Sequence, residues 1–280
     1  MAEGADQTRV PFVSFLSDYG RADEFVGVCH AVMLGIEPRL RIIDVTHEIA
    51  AFDVRAGGLA LVRATQYLPE GIVLAIVDPG VGTERRCIAV EVDNGYLVGP
   101  DNGLLAPTVA MLGGPRRVVA LTNARYQLEA PGPTFAGRDV MAPAAAHLAA
   151  GVDIDELGER VDAATLAPGL LPLPRDENGV IVGEVLWVDR FGNCQLNIDP
   201  ELLAAFRAGP GDALEVRLPD GSARRGRWVH AFADAKPSEL VVLVDSYGLC
   251  ALAYDRRSAA GELKLRAGSA VTLAPPEAGR

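Results

Sequence analysis

A switch in hydrophobic pattern near residue 170 constrains this chain more than any other feature. Before it, short apolar runs alternate with amphipathic stretches. Val10–Phe15, Arg41–Val45 and Ile72–Val77 read as strands, the last apolar throughout. Asp23 can cap a helix to about Gly35 that puts Phe25, Val26, Cys29, Val32 and Met33 on one face. Asp53 can open a second helix, Val54–Tyr67, closed by Pro69. Cys87–Val92 meets Tyr96–Val98 across Asp93-Asn94-Gly95, which predicts a type I′ hairpin. Leu104–Leu112 and Met141–Ala150 read as helices. Buried strands alternating with helices imply an α/β domain, with a mostly parallel sheet flanked by helices on both faces.

From Ala167-Pro168-Gly169 to Asn178-Gly179 the chain is rich in proline and turn pairs and reads as a linker. Beyond it come Val180–Val188, Cys194–Ile198, Ala213–Leu218, Gly226–Phe232, Leu240–Val244, Cys250–Tyr254 and Ser269–Leu273. Short strands separated by turns predict a small β-barrel. The expected organisation is an N-terminal α/β domain over 1–172 and a C-terminal β-barrel domain over 173–280.

Composition narrows the function. With 49% hydrophobic and 22% charged residues in 280, the chain is not disordered. A net charge of −11 and no basic run disfavour nucleic acid as a partner. Met1–Arg9 is polar, unlike a signal peptide, and no apolar run nears the ~20 residues that span a bilayer. Cys29, Cys87, Cys194 and Cys250 form no C-x-x-C pair and read as buried free thiols. A cytoplasmic protein without membrane attachment is expected.

In an open α/β sheet, ligands bind beyond the carboxyl ends of the strands. Asp18 follows the first strand there and Asp78 the third, and Arg85 is close enough in sequence to fold back onto Asp78. No phosphate-binding glycine loop, nucleophile elbow or spaced metal motif is present, although His47-Glu48 resembles part of one. In the second half, Asp189-Arg190-Phe191-Gly192-Asn193 suits a planar heterocycle: Phe191 can stack on it and Asn193 can bond its edge. Phe232 and Ser246-Tyr247-Gly248 are further candidates.

These residues carry a resemblance. Phe15-Leu16-Ser17-Asp18-Tyr19-Gly20, Asp44-Val45-Thr46-His47, Asp78-Pro79-Gly80-Val81-Gly82-Thr83 with Arg85, and Pro100-Asp101-Asn102-Gly103-Leu104 are four of its carriers. Thr134-Phe135-Ala136-Gly137-Arg138-Asp139 and Asp189-Arg190-Phe191-Gly192-Asn193 complete the set. The chain resembles the S-adenosyl-L-methionine hydroxide adenosyltransferases, relatives of fluorinase and chlorinase, from about Phe12 to Leu273.

The resemblance implies an α/β domain followed by a β-barrel, and homotrimers with substrate at subunit interfaces. It also implies attack of water on C5′ of S-adenosylmethionine, giving adenosine and L-methionine, with no cofactor. Asp78 matches the carboxylate that addresses the water, and Arg85 its partner. A carboxylate bonded to a guanidinium favours its charged form, so Asp78 is read as an orienter rather than a full base. The halogenases carry tyrosine at that position, and a carboxylate there repels halide. The family histidine after Thr-Phe is replaced by Ala136.

By the same resemblance, Asp18 accepts the ribose hydroxyls and Phe52 lies beside the ribose. Asp23 and Asp189 lie near the methionine ammonium. Asn193 and Phe232 contact adenine, Phe191 stacks nearby, and Ser246 contacts the methionine carboxylate. Tyr247 and Tyr254 stand where the halogenases carry basic residues. Two alternatives remain at this stage. One is a module that binds S-adenosylmethionine or adenosine without turnover, and the other is a 5′-halogenase.

Overall fold

The structure is a computed structural model and describes residues 11–169 and 171–275. Val10 and the polar Met1–Arg9 segment lie outside the described residues. The chain divides into two compact units at residues 170 and 171.

The first unit runs β1 (Phe12–Ser17), α1 (Phe25–Ile36), β2 (Arg41–Thr46), α2 (Val54–Thr65), β3 (Gly71–Ile76), β4 (Cys87–Val92) and β5 (Gly95–Pro100). It continues through α3 (Ala106–Met111), β6 (Arg117–Ala120), α4 (Ala142–Ala149) and β7 (Glu159–Arg160). The strands form one sheet in the order β2-β1-β3-β5-β4-β6-β7. The first four in that order are parallel neighbours, and β4, β6 and β7 add antiparallel.

The sheet has apolar cores on both faces, as strands apolar throughout require. Phe15, Leu74 and Ile76 pack with Cys29 and Met33 of α1 and with Ala145 and Leu148 of α4. Leu16, Ala75 and Val77 pack on the opposite face with Leu61 of α2 and Val109 of α3.

Two local expectations are corrected. Asp23 does not cap α1: the helix starts after Glu24, whose side chain makes no capping bond. Asp53 does cap α2, accepting from Ala56 N at 2.9 Å. The β4–β5 hairpin is present, but neither Asp93 nor Asn94 has positive φ, so its turn is not type I′. Gly95 is needed for a different reason: a Cβ there would lie 2.0 Å from the Gly71 carbonyl oxygen.

The second unit contains β8 (Arg175–Asp176), β9 (Ile181–Val188), β10 (Cys194–Leu196), β11 (Ala213–Arg217), β12 (Ala223–Trp228) and β13 (Val241–Val244). β14 (Cys250–Ala253), α5 (Ala259–Leu263) and β15 (Ala270–Ala274) follow. The order is β10-β14-β13-β12-β11-β15-β9-β8, and a further β10–β9 pairing closes a barrel, with β8 outside the ring. Closure removes the free edges of the ring. The linker reading is therefore incomplete, because β8 pairs with β9 inside that stretch. Phe232 is not in a strand; it opens a short 3₁₀ turn, Phe232–Asp234.

All four cysteines are free thiols. Burial pushes Cys29, Cys194 and Cys250 up to about 12. Among the described residues, no helix is long and apolar enough to cross a membrane.

Candidate active site

β1 and β3 are parallel neighbours with Ser17 opposite Ile76, so their carboxyl ends emerge side by side. Asp18 N donates to Ile76 O at 3.3 Å, which ties the Asp18 turn to the strand that leads into Asp78. Asp18 Oδ2 in turn accepts from Phe52 N at 2.8 Å. Phe52 holds a positive φ of 69° and leaves its ring 71% exposed beside that carboxylate.

Arg85 does fold back onto Asp78. Its Nε donates to Asp78 Oδ1 at 2.8 Å and its Nη2 bonds Asp78 Oδ2, a two-pronged pair. Both side chains are largely buried, 7% exposed for Asp78 and 14% for Arg85. Arg85 Nη1 also donates to Cys87 Sγ at 2.8 Å. Burial pulls the guanidinium down, but the bonds to Asp78 and Cys87 outweigh it and hold Arg85 above its ordinary value. The orientation of the Asp78 carboxylate is therefore fixed before any ligand arrives.

The Thr134–Asp139 segment faces this loop. A Cβ on Gly82 would sit 3.4 Å from Pro133 O, so the two loops are in contact. Ala136 is half-buried and precedes a π-helical turn, Gly137–Met141. Such turns recur at functional sites, and no sequence signal marked this one. Its frame is set by Arg138 and Asp139, bonded Nε to Oδ1 at 2.6 Å and Nη2 to Oδ2 at 3.0 Å. Arg138 also covers the Phe135 ring at 5.0 Å. His147 lies apart on α4, stacked edge-on against Tyr126 at 4.9 Å.

Beside the site is a cluster that sequence spacing missed. His30 Nε2 and His47 Nε2 lie 2.9 and 3.0 Å from the same Asp44 Oδ1, and His47 Nδ1 bonds Ser17 Oγ at 2.7 Å. One nitrogen or oxygen from each of His30, Asp44 and His47 lies within 4.8 Å of the others. Arg21 already places a cation 3.6 Å from the other Asp44 oxygen. The Gly20 N to His47 O bond, 2.7 Å, fastens the Asp18–Gly20 turn to this cluster. Asp23 lies exposed before α1, and the structure gives it no bond to the other site residues.

In the second unit, Asp189 organises the β9–β10 turn. Its Oδ1 accepts from Phe191 N at 2.9 Å and Asn193 N at 2.8 Å, and its Oδ2 accepts from Asn193 Nδ2 at 2.7 Å. This loop-forming role was not read from the sequence. The turn leaves the Phe191 ring 76% exposed and Asn193 half-buried. Gln195 of β10 bonds Asp245 Oδ2 at 2.5 Å, tying the Asp245–Leu249 turn, which carries Ser246, to the same strand. Ser246 and Phe232 are exposed. Trp187 and Tyr247 meet edge-on at 6.4 Å.

Sequence comparison reads the two units together. The family model for the SAM hydroxide adenosyltransferase N-terminal domain matches residues 13–158, and the C-terminal domain model matches 183–272. The chain belongs to the SAM hydroxide adenosyltransferase family. Within it, the chain is 44% identical to an (R)-S-adenosyl-L-methionine hydrolase of Salinispora tropica, covering 92% of this chain and 95% of that one. A Thermus thermophilus protein of the same name is 40% identical, over 93% and 98%. A fluorinase of an Actinoplanes species is 31% identical, over 94% and 97%. Among solved structures, a conserved Thermotoga maritima protein superposes with a TM-score of 0.87 at 33% identity, covering 94% of this chain and 99% of that one.

Proposed function

We propose that this adenosyltransferase hydrolyses S-adenosyl-L-methionine at C5′, in the (R) form named for its hydrolase relatives, releasing adenosine and L-methionine. The observation that carries the reading is the Asp78–Arg85 pair, fixed beside Asp18 where the parallel strands end. The sulfonium is already a good leaving group, so the protein need only orient a water in line and exclude other solvent. Water oxygen bonds to C5′ as the C5′–S bond breaks. Its electron pair stays on sulfur, giving the neutral thioether of methionine, and one proton leaves to solvent.

Each remaining residue has a place in this reading. Asp18 accepts the ribose hydroxyls beside Phe52. Asp23 and Asp189 offer negative charge to the methionine ammonium. Phe191, Asn193 and Phe232 take the adenine, and Ser246 the carboxylate. The exposed rings of Phe52, Phe191 and Phe232 support the view that ligand or a neighbouring subunit covers them. A homotrimer with active sites at subunit boundaries, acting in the cytoplasm without a cofactor, belongs to the same proposal. The fluorinase relatives raise halide as the alternative nucleophile. Asp78 opposes it, because a carboxylate at the nucleophile position repels an anion.

Calorimetric titration beside a product assay separates enzyme from binding module. The expected result is one adenosine and one methionine per substrate consumed. Saturable binding with no adenosine after many half-lives would leave a binding module. A 5′-chloro nucleoside as main product in chloride would make it a halogenase.

A further inference from the structure

Ala136 leaves the site without a polar side chain where the family resemblance expects histidine. A methyl group cannot hydrogen-bond, so Asp78 alone would hold only one of the two water hydrogens. The second acceptor has to come from elsewhere in the fold.

Tyr19 is placed to supply it. A Cβ built on Gly137, the residue after Ala136, would lie 2.0 Å from the Tyr19 hydroxyl oxygen. The phenol tip therefore occupies the side-chain space of position 137, against the backbone that follows Ala136. The ring cannot swing away easily. It meets Phe15 edge-on at 6.5 Å, Phe135 edge-on at 5.6 Å and Phe25 at 5.8 Å. Among the described residues, its hydroxyl makes no hydrogen bond; the backbone N of Tyr19 donates to Ser17 Oγ. Burial raises the phenol well above its ordinary value, with Cys29, Asp18 and Asp78 adding to the rise and Arg85 opposing it. The group is thus neutral at working pH, and it senses Asp18, Asp78 and Arg85 together.

We propose that Tyr19 is a catalytic residue, its hydroxyl oxygen accepting one hydrogen of the attacking water while Asp78 accepts the other. With both hydrogens held, one of the two oxygen lone pairs points at C5′. This takes over, from a different strand end, the hydrogen-bonding work that Ala136 cannot do. The proposal rests on the hydrolase reading above. It adds a requirement that reading does not contain, because nothing in the Asp78–Arg85 pair itself demands Tyr19.

The test compares the unmodified chain, Tyr19→Phe and the double variant Tyr19→Phe/Ala136→His in single-turnover adenosine release, with substrate affinity and thermal melting measured in parallel. Tyr19→Phe keeps the aromatic packing and removes only the oxygen. It should slow the chemical step roughly 10- to 100-fold with little change in affinity. The double variant should recover most of that loss and gain an acid limb as the new imidazole protonates, near pH ~6.5 for an unperturbed histidine. A merely structural tyrosine would show its loss in melting temperature or affinity, and Ala136→His would not relieve it. Tyr19→Phe within twofold of the unmodified chain overturns the assignment. So does a loss that Ala136→His does not relieve. If the unmodified chain itself releases no adenosine, the hydrolase reading falls and takes this one with it; adenosine with an unaffected Tyr19→Phe removes this one alone.

Discussion

Asp78→Asn lowers the single-turnover rate of adenosine release by about 10³-fold, within the usual range for losing a positioned polar group at the reacting centre. Substrate affinity stays within a few-fold, because the residues assigned to ribose, adenine and methionine are untouched. The amide keeps one acceptor for Arg85 but removes the negative charge. Asp78 and Arg85 sum to zero in the parent, so the variant leaves an uncompensated guanidinium in a site that is 14% exposed at Arg85. That change should attract anions. In high chloride, the share of 5′-chloro nucleoside should rise above that of the unmodified chain, even as total turnover falls. Unchanged adenosine release from a folded Asp78→Asn protein would mean that the carboxylate does not address the water. Asp78→Ala should also lose stability, since removing one partner of a buried pair typically costs about 3–5 kcal/mol. Melting curves therefore accompany both variants.

Gly192→Ala should be the most damaging small substitution in the second unit. Gly192 has φ +86°, where any side chain is strained. Its missing Cβ would lie 2.1 Å from Ser258 Oγ, 2.5 Å from Ser258 Cβ and 2.7 Å from Ser258 Cα. Rotating the serine relieves only the first contact. Gly192 O also accepts from Ala260 N at 2.9 Å, so the turn cannot simply retreat from α5. Strain and overpacking together suggest a loss of about 3 kcal/mol, equivalent to a fall of roughly 10 °C or more in the melting temperature of a unit this size. Phe191 and Asn193 flank the substitution, so substrate affinity should fall with it. Gly248→Ala is the control. It has the same left-handed backbone, φ +85°, but open space around the added carbon, so it should cost only about 1 kcal/mol. Equal effects from the two would show that the Ser258 contact is unimportant.

Much of this architecture is legible in the sequence where local chemistry decides. Asp53 caps α2 because its side chain reaches a free amide three residues on. The apolar β3 and the change to short strands after residue 170 follow from burial on both faces and from turn spacing. The pairing of Arg85 with Asp78 was readable because the loop between them is short and flexible. Most of the failures concern contacts distant in sequence. Gly95 looked like a turn glycine, but the Gly71 carbonyl across the sheet sets its requirement. Spacing gave no hint of His30 and His47 meeting at Asp44, since separate elements bring them together. Asp189 was read for its charge, whereas the fold first uses that charge to build its own turn. Tyr19 was visible only as a neighbour of Asp18 until the position of Gly137 showed where its hydroxyl points.

The central claim is that an oriented water attacks C5′ of S-adenosyl-L-methionine. Its most direct test is a single turnover in oxygen-18 water, with both products weighed by mass spectrometry. The account predicts adenosine carrying one heavy atom at the 5′-oxygen, beside an equal amount of unlabelled methionine. Unlabelled adenosine, or intact substrate recovered from saturated protein, would contradict it.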